Sequence, residues 1–495
     1  MNKSDKSLNI ALCLGGAFAV ALLFISGCAM GPNYHRPATN PPGNFRFAGS
    51  SATNSLGDMQ WQDVFQDPIL QNLITIALTN NYNLKQAVDR VEEARYNAMA
   101  ARSPLYPQVG YGGDVGRGRN SLYNSPIGAG GATQSSALAM LNATWEIDFW
   151  GRIRRLSQAA EAQYLATDEA RQGVTITLIS DVATTYYQLL DLDQELQIQR
   201  EATNAYAGSY RIFNDRLING AASKLETDRA AAALNGAAAL IPQLEIQIAQ
   251  TEDQLNILLG HNPGPVERGS LTNEPETQMV IPAGLPSDLL QRRPDVMAAE
   301  QSLVAANANV GANLANFFPH IGLTAFLGKA SPELSTFTGG AANMWNAGAT
   351  VSGPLFQGGQ LYAQYKGSKA SFLEAKDAYQ QSVLVAFQEV SDALIAREKL
   401  SEVQLYYQQE AAALASSVDL ATQRYLNGKS SYYEVLEAQQ ELYPAQVSQI
   451  QAQANEWISV VQLYKALGGG WKNPPKEPES KNNQAAPVPA GGGHS

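Results

Sequence analysis

The sequence has 495 residues, 45% of them hydrophobic, and this composition excludes a chain that is disordered throughout. Lys and Arg total 34 and Asp and Glu total 45, which gives a formal net charge of −11. This acidic balance argues against a nucleic-acid-binding protein, because such proteins carry a basic surface.

Residues 1–27 have the pattern of a secretory signal peptide. Lys3 and Lys6 supply positive charge, and residues 8–25 form an apolar run. Because that run approaches the ~20 residues that span a bilayer, an uncleaved membrane anchor is the alternative interpretation. The sequence Ile25-Ser-Gly-Cys28 favours cleavage, since it resembles the bacterial lipobox, in which the cysteine becomes the acylated N-terminus.

Cys28 is therefore the expected lipid attachment site. The lipobox resemblance implies N-acyl and S-diacylglycerol groups on Cys28. The following residue, Ala29, implies sorting to the outer membrane because it is not Asp. Cleavage also removes Cys13, so the mature chain has a single cysteine and cannot form an intramolecular disulfide. No other cofactor is predicted.

The two ends of the mature chain have the composition of loops. Residues 28–66 begin with a stretch rich in Pro, Asn, Gly and Ser, which predicts a lipidated linker lying along the surface. Residues 472–495 are rich in Pro, Asn and Gly and almost lack apolar side chains, which predicts a disordered tail.

Between these ends the sequence contains a two-fold internal duplication. Arg216-Leu-Ile-Asn-Gly220 recurs as Arg424-Tyr-Leu-Asn-Gly428, and the segment around Pro107 recurs around Pro319. The distance between the copies is too long for a solenoid repeat. The predicted repeats occupy residues 67–265 and 266–471.

Each repeat is predicted to contain a helix, a β-hairpin and a long helical hairpin, in that order. The first helix of each repeat is rich in Ala and ends before a proline. Gly-rich alternating segments follow, and stretches almost free of Gly and Pro then predict very long helices that reverse at Asn-Gly. The helices are expected at residues 86–102, 152–217, 224–259, 297–316, 361–426 and 431–467. The strands are expected near residues 108–115, 139–149, 321–327 and 347–355.

The longest predicted helices span about 100 Å at about 1.5 Å per residue, which exceeds a globular domain. Their surfaces are rich in Ala, Gln and Glu, so one helical hairpin buries little apolar area alone and must pack laterally against others. Helices of this composition and length favour a coiled coil.

The four strands raise the problem of unpaired edges. In a membrane only a closed barrel satisfies every backbone group. Strands of about 8–11 residues suit the hydrocarbon thickness. Four strands are too few to enclose a lumen, whereas three copies of the chain supply twelve. Periodicity alone leaves open the alternative of two soluble hairpins in a periplasmic adaptor.

Catalytic motifs are not evident, and the sequence predicts a protein that is not an enzyme. The four histidines, at positions 35, 261, 320 and 494, are isolated in the sequence, and no HExxH, GxSxG or CxxC is present. Gly428-Lys-Ser-Ser431 superficially matches the end of a phosphate-binding loop, but a helix is expected before it, so we interpret it as a turn between helices.

Several motifs resemble the TolC-like outer-membrane efflux protein family, in the family's order and over roughly residues 28–471. They include Trp145-Glu-Ile-Asp-Phe-Trp-Gly-Arg152 and the sequence from Gly284 through Arg292-Arg-Pro-Asp295 to Val296. Gly353-Pro-Leu-Phe-Gln-Gly-Gly359 and the sequence from Arg424 to Gln439 match as well. The resemblance implies a mainly α-helical channel-tunnel: a homotrimer with a twelve-stranded outer-membrane β-barrel and a long periplasmic α-helical barrel.

The same resemblance implies a function and partners. It indicates the exit duct of a tripartite efflux pump, which passively carries small molecules such as drugs or solvents across the periplasm and outer membrane. A periplasmic adaptor protein, an inner-membrane pump and outer-membrane lipid are the implied partners. The alternative is the outer-membrane component of a type I protein secretion system, which uses the same architecture. A structural lipoprotein without a pore fits the helices but not the hairpins.

A periplasmic gate is implied at the helix reversals. Glu434 and Glu437 are three residues apart and so lie on one face of a helix. Sequence alone leaves open an ordinary solvated face. TolC-like channels place acidic residues at these positions, facing the lumen, and Tyr425 and Glu226 match positions that help to hold the entrance shut. Where a family member has a basic residue, this chain has Ser430, so Lys429, Lys224 or Arg229 is expected to take that role or the closed state is looser.

Overall fold

The computed structural model describes residues 29–47, 55–119, 133–270, 286–332 and 334–470. The predicted signal peptide, the lipid attachment residue Cys28 and the predicted tail at 472–495 lie outside these ranges. The described chain divides into two compact units. Unit 1 contains residues 29–40, 83–174 and 294–385, and unit 2 contains residues 41–82, 175–293 and 386–470.

Long helices dominate the described residues, and four strands interrupt them. The helices are α1 (Trp61–Val64), α2 (Pro68–Asn80), α3 (Tyr82–Arg102), α4 (Arg152–Ile218), α5 (Lys224–Leu259), α6 (Pro286–Leu289), α7 (Pro294–Ala315), α8 (Gln360–Leu426) and α9 (Tyr432–Ala466). The strands are β1 (Gln108–Arg119), β2 (Thr133–Ile147), β3 (His320–Ser331) and β4 (Asn343–Ser352). The predicted long helices are confirmed to within one residue at each end.

The strands of unit 1 form a single antiparallel sheet in the order β1-β2-β3-β4. The alternative of two separate hairpins, which periodicity left open, does not hold, because β2 also pairs with β3, for example Leu141 with Leu327. The predicted strand bounds also differ from the observed ones. β1 and β3 continue beyond the predicted ends at residues 115 and 327, because a neighbouring strand offers backbone partners there. β4 ends at Ser352, before Pro354, which has no N–H for the ladder.

The N-terminal segment of unit 1 is held in place rather than lying loosely on the surface. The backbone N–H of Met30 donates to the carbonyl of Trp150 at 3.0 Å. The Arg155 guanidinium, on a residue that is 5% exposed, donates to the Met30 carbonyl at 3.0 Å. Arg36 binds the buried Glu300 carboxylate through two hydrogen bonds of 2.6 and 2.5 Å. A chain rich in Pro and Asn thus follows a fixed path, because its polar groups find partners on α4 and α7.

The predicted linker at 28–66 also contributes to the core of unit 2, which the sequence interpretation missed. Phe45, Leu56 and Phe65 are buried. Phe65 packs edge-on against Tyr464, with ring centroids 5.8 Å apart. Isolated large apolar residues give no periodic signal, yet all three of these are buried.

The core of unit 2 is built from the long helices. Tyr186, Tyr187, Leu255 and Tyr464 are among its fully buried side chains. Among the described residues, no helix combines the length and the apolar composition that crossing a membrane requires.

Candidate functional site: the sheet and the helix-hairpin tips

The sheet of unit 1 has one apolar face, because the register pairs odd-numbered residues with odd-numbered residues throughout. One row crosses all four strands, from Tyr111 to Leu141, Leu327 and Trp345. In a single chain Tyr111 is 89% exposed and Trp345 is 77% exposed. The large exposed apolar side chains of the strands all lie on this face: Val109, Tyr111, Val115, Leu141, Leu327, Trp345 and Val351.

The opposite face carries mostly small or polar side chains. The row from Gln108 to Thr144, Thr324 and Gly348 is an example. Leu138, Met140, Phe326 and Met344 are the apolar exceptions on this face. A sheet that exposes large apolar groups on one side and polar groups on the other fits a boundary between hydrocarbon and water.

The outer strands of the sheet have free edges within one chain. β1 pairs only with β2, and β4 pairs only with β3, among the described residues. Each edge therefore presents a row of backbone N–H and C=O groups that lack sheet partners. These edges need a partner strand in any environment without water.

The Trp145–Arg152 motif forms the junction between the sheet and α4. The Asp148 carboxylate accepts the backbone N–H groups of Ile153 and Arg154, both at 2.9 Å, and so caps the first turn of the helix. Glu146 binds Arg152 at 2.7 Å and contacts the His320 ring at 3.1 Å. The sequence interpretation used this motif only for resemblance, and its structural role is to turn a strand into a helix.

Aromatic side chains surround the same junction. The Trp150 indole stacks on Phe318, with ring centroids 4.6 Å apart, and its N–H donates to the Pro319 carbonyl at 2.9 Å. Gly151 has φ +77, and a Cβ there would lie 2.7 Å from the Ala29 Cα. The glycine of this motif therefore permits the N-terminal segment to pass close to the junction.

The Arg292-Arg293 pair has a structural role. Arg292 binds Asp58 at 2.8 Å. Arg293, whose side chain is almost fully buried, binds Glu389 at 2.6 Å and donates to the Ala466 carbonyl at 3.1 Å. These contacts tie α6, α8 and α9 together within unit 2.

Both helical hairpins reverse at the predicted Asn-Gly turns. Gly220 has φ +73 and Gly428 has φ +69, which confirms the expected left-handed glycine after each long helix. In the first hairpin, Ser223 caps α5: the Glu226 N–H donates to its hydroxyl at 3.3 Å, and its own N–H donates to the Glu226 carboxylate at 2.8 Å. The Ser223 hydroxyl also donates to this carboxylate at 3.1 Å, and the hydrogen bonds from the Ser223 backbone and hydroxyl lower the pKa of Glu226.

The second hairpin has the same Ser-x-x-Glu spacing but not the same cap. The Ser431 side chain makes no capping hydrogen bond to α9. The Glu434 carboxylate instead lies 3.6 Å from the Arg424 guanidinium, and both side chains are exposed. Glu437 is exposed too, whereas Val435, Leu436 and Ala438 between and beside them are buried. The two glutamates thus lie on the face of α9 that no other part of the described chain covers.

Tyr425 has a packing role in this structure. Its ring contacts the Tyr432 ring edge-on at 4.9 Å, and Tyr432 in turn packs on Phe213 at 5.5 Å. No hydrogen bond joins Tyr425 to Glu226 within the described ranges. Tyr432 is one of the residues that link the two hairpins, and the sequence interpretation did not single it out.

The basic residues expected to take the place of the family's basic gate residue have other partners in this structure. Lys224 binds Asp228 at 2.8 Å, and this ion pair raises the pKa of Lys224. The Arg229 guanidinium lies over the Tyr433 ring at 5.4 Å. Lys429 is exposed. Within the described part of the chain, no three His, Cys, Asp or Glu side chains are placed to hold a metal ion.

A family profile described as outer membrane efflux protein matches residues 73–261 and 285–469, which confirms the two-fold repeat. The cation efflux system protein CusC of Escherichia coli O6:H1 is 33% identical, over 92% of this chain and 98% of CusC. The toluene efflux pump outer membrane protein TtgC of Pseudomonas putida is 34% identical, over 95% of this chain and 98% of TtgC.

Solved structures share the fold. The open state of the Neisseria gonorrhoeae MtrE outer membrane channel superposes with a TM-score of 0.82 and 30% identity, over 90% of this chain and 99% of that chain. The likeness extends over nearly the whole length of each protein.

Proposed function

Since this chain belongs to the outer membrane efflux protein family, we propose that it is the exit channel of a tripartite efflux system, through which small molecules cross the outer membrane. Its fold is that of the TolC-like channels, and its place is the outer membrane. The observation that carries the proposal is the sheet, whose exposed apolar face and free edges leave it incomplete in a single chain.

Three copies would complete the sheet. If β4 of one copy pairs with β1 of the next, three chains give a closed barrel of twelve strands without a free edge. The apolar row that includes Tyr111 and Trp345 then faces lipid, and the polar face lines the lumen. The homotrimer therefore follows from the strand count together with the distribution of side chains on the sheet.

The helical hairpins would form the periplasmic part of the channel. α4 and α8 have 67 residues each, which corresponds to about 100 Å of helix. Many of their apolar side chains, such as Tyr406 and Leu420, are exposed in one chain. Lateral packing of three chains would cover such groups and enclose a passage.

The proposed partners are a periplasmic adaptor and an inner-membrane pump. The two relatives carry names of efflux systems, one for cations and one for toluene, at nearly equal identity to this chain. Similar channels that serve systems with different cargo fit a passive conduit, in which the pump determines the selectivity. No catalytic step is proposed for this chain. These efflux names favour small-molecule export over type I protein secretion.

The lipid on Cys28 is proposed to assist anchoring. The first described residues after it, Ala29 and Met30, lie at the junction of the sheet with α4. Lipid on the preceding residue would therefore sit beside the end of the sheet that leads into the helices, which suits the inner leaflet of the outer membrane.

The gate is proposed at the tips of the second hairpin. Three copies of Glu434 and Glu437 would form two rings of carboxylates at the periplasmic entrance. The exposure of both glutamates on the uncovered face of α9 supports this proposal. The Glu434 carboxylate lies 3.6 Å from the Arg424 guanidinium and takes no part in a helix cap. Rings of acid at a constriction favour cations.

Single-channel recording in a planar bilayer tests the proposed function. The purified protein should insert without its pump and give uniform conductance steps that fluctuate between levels. Boiled protein serves as the control for detergent artefacts. Insertion without any conductance would contradict the channel and would leave a lipoprotein with a structural role.

A further inference from the structure

A groove of about 460 Å³ lies within unit 2, between α4, α5 and α9. Its polar lining comes from all three helices, and the rest is leucine and valine. The polar residues are Asp191, Glu195 and Gln199 of α4, Gln243 and Gln247 of α5, and Gln451 of α9. The groove is distant in sequence from the tip residues and plays no part in the proposed gate.

Two carboxylates share this groove without a cation. Asp191 and Glu195 are four residues apart and lie on one face of α4, about one helical turn from each other. α5 and α9 contribute only glutamine and apolar side chains to the lining, so among the described residues the groove contains no other titratable group. The nearby Arg268 binds Asp193 at 2.5 Å and also Glu252, and Arg200 binds Glu245 at 3.1 Å.

The two carboxylates differ in their hydrogen bonds. Glu195 accepts a hydrogen bond of 2.7 Å from the Gln451 amide, which joins α4 to α9. One Asp191 carboxylate oxygen is enclosed and accepts no hydrogen bond from the described residues. An ionised carboxylate in that position is costly, whereas a protonated one is much less so.

We propose that Asp191 and Glu195 form a proton-sensitive latch, which holds α9 against α4 when the pair carries one proton and loosens when that proton is lost. With one proton the groove contains a single negative charge, and the Gln451 amide stabilises it. Without that proton two carboxylates repel each other about one turn apart, and no cation compensates.

The titration of the pair supports this geometry. Burial, with a smaller contribution from Glu195, raises the pKa of Asp191 to about 7. Burial also raises the pKa of Glu195, against the opposing effect of its hydrogen bond with Gln451. Because the pKa is raised in the folded state, the contribution to packing is complete in acid and is lost as the pH rises through about 7.

Hydrogen–deuterium exchange of the whole protein tests the latch. Between pH 6 and pH 8, after correction for the intrinsic exchange rate, protection of the α9 amides around Gln451 should fall several-fold, toward about tenfold for a full unit of pKa shift. Asp191→Asn should show the high protection of the acid state at both pH values. Glu201→Gln, an exposed glutamate of the same helix, should keep the wild-type dependence.

Equal protection at both pH values in the wild-type protein would overturn the proposal. So would an Asp191→Asn protein that retains the full pH dependence. Glu195→Gln provides a second variant: it removes the repulsion but leaves the burial that contributes most to the raised pKa of Asp191, so it should weaken the dependence on pH without abolishing it. The readout requires no transport, so the latch can fail while the channel function stands.

Discussion

At the scale of single residues, the two glutamates of α9 are expected to control ion selectivity. Glu434→Gln combined with Glu437→Gln should lower the preference for cations and weaken block by divalent or trivalent cations from the periplasmic side, because two rings of carboxylates would be lost. Arg424→Gln should act in the opposite direction, since it removes the positive charge 3.6 Å from Glu434. Reversal potentials in a planar bilayer measure both effects. Unchanged values in the double variant would place these residues on an ordinary solvated surface.

The residues of the gate were only partly predictable from sequence. The spacing of Glu434 and Glu437 gave their common face, but their exposure depends on the packing of Val435 and Leu436 against other helices. Ser223 and Ser431 have identical spacing to their glutamates. Only the structure shows that Ser223 caps its helix and that Ser431 does not. The role of Tyr432 depends on contacts between distant segments, which a local motif does not reveal.

At the scale of the elements, the unequal caps of the two hairpins lead to a stability prediction. Ser223→Ala removes the hydroxyl that caps the helix, while the backbone N–H of residue 223 can still donate to Glu226, so the first turn of α5 should lose about 1 kcal/mol of local stability. Exchange of its amides should become roughly fivefold faster, as about 1 kcal/mol implies. Ser431→Ala is the matched variant at the other tip and should change the first turn of α9 much less, because its hydroxyl caps nothing. Equal effects of the two substitutions would show that the caps do not differ.

The long helices were predictable because their sequences almost lack the residues that end helices, and the Asn-Gly turns mark their ends. Local signals failed elsewhere. Asp67-Pro68 begins α2, with the Asp67 carboxylate accepting the Ile69 N–H at 2.8 Å, yet this helix was not predicted. Pro242 and Pro444 lie inside α5 and α9 without ending them. The pairing of β2 with β3 joins segments far apart in the chain, so no single stretch of sequence indicates it.

At the scale of the whole molecule, the duplication explains why one chain contributes equivalent parts twice. Each repeat supplies one β-hairpin and one helical hairpin, and the two β-hairpins join in one sheet through β2 and β3. The sheet still ends in free edges at β1 and β4. The two repeats of one chain therefore do not close the sheet. Completion by further copies of the same chain removes those edges without requiring another protein.

Disulfide cross-linking between the two sheet edges tests this closure most directly. Cleavage removes Cys13 and Cys28 is expected to be acylated, so introduced cysteines would be the only free thiols. Gly112→Cys should be combined in turn with Asn346→Cys, Gly348→Cys and Thr350→Cys, which lie on the same polar face. At least one pair should give dimers and trimers on non-reducing gels, and no larger species. Ala347→Cys and Ala349→Cys, on the apolar face, should not cross-link to Gly112→Cys, because a disulfide requires side chains on one side of the sheet. A protein that remains monomeric with every pair, while it still conducts ions in bilayers, would contradict a barrel shared by three chains.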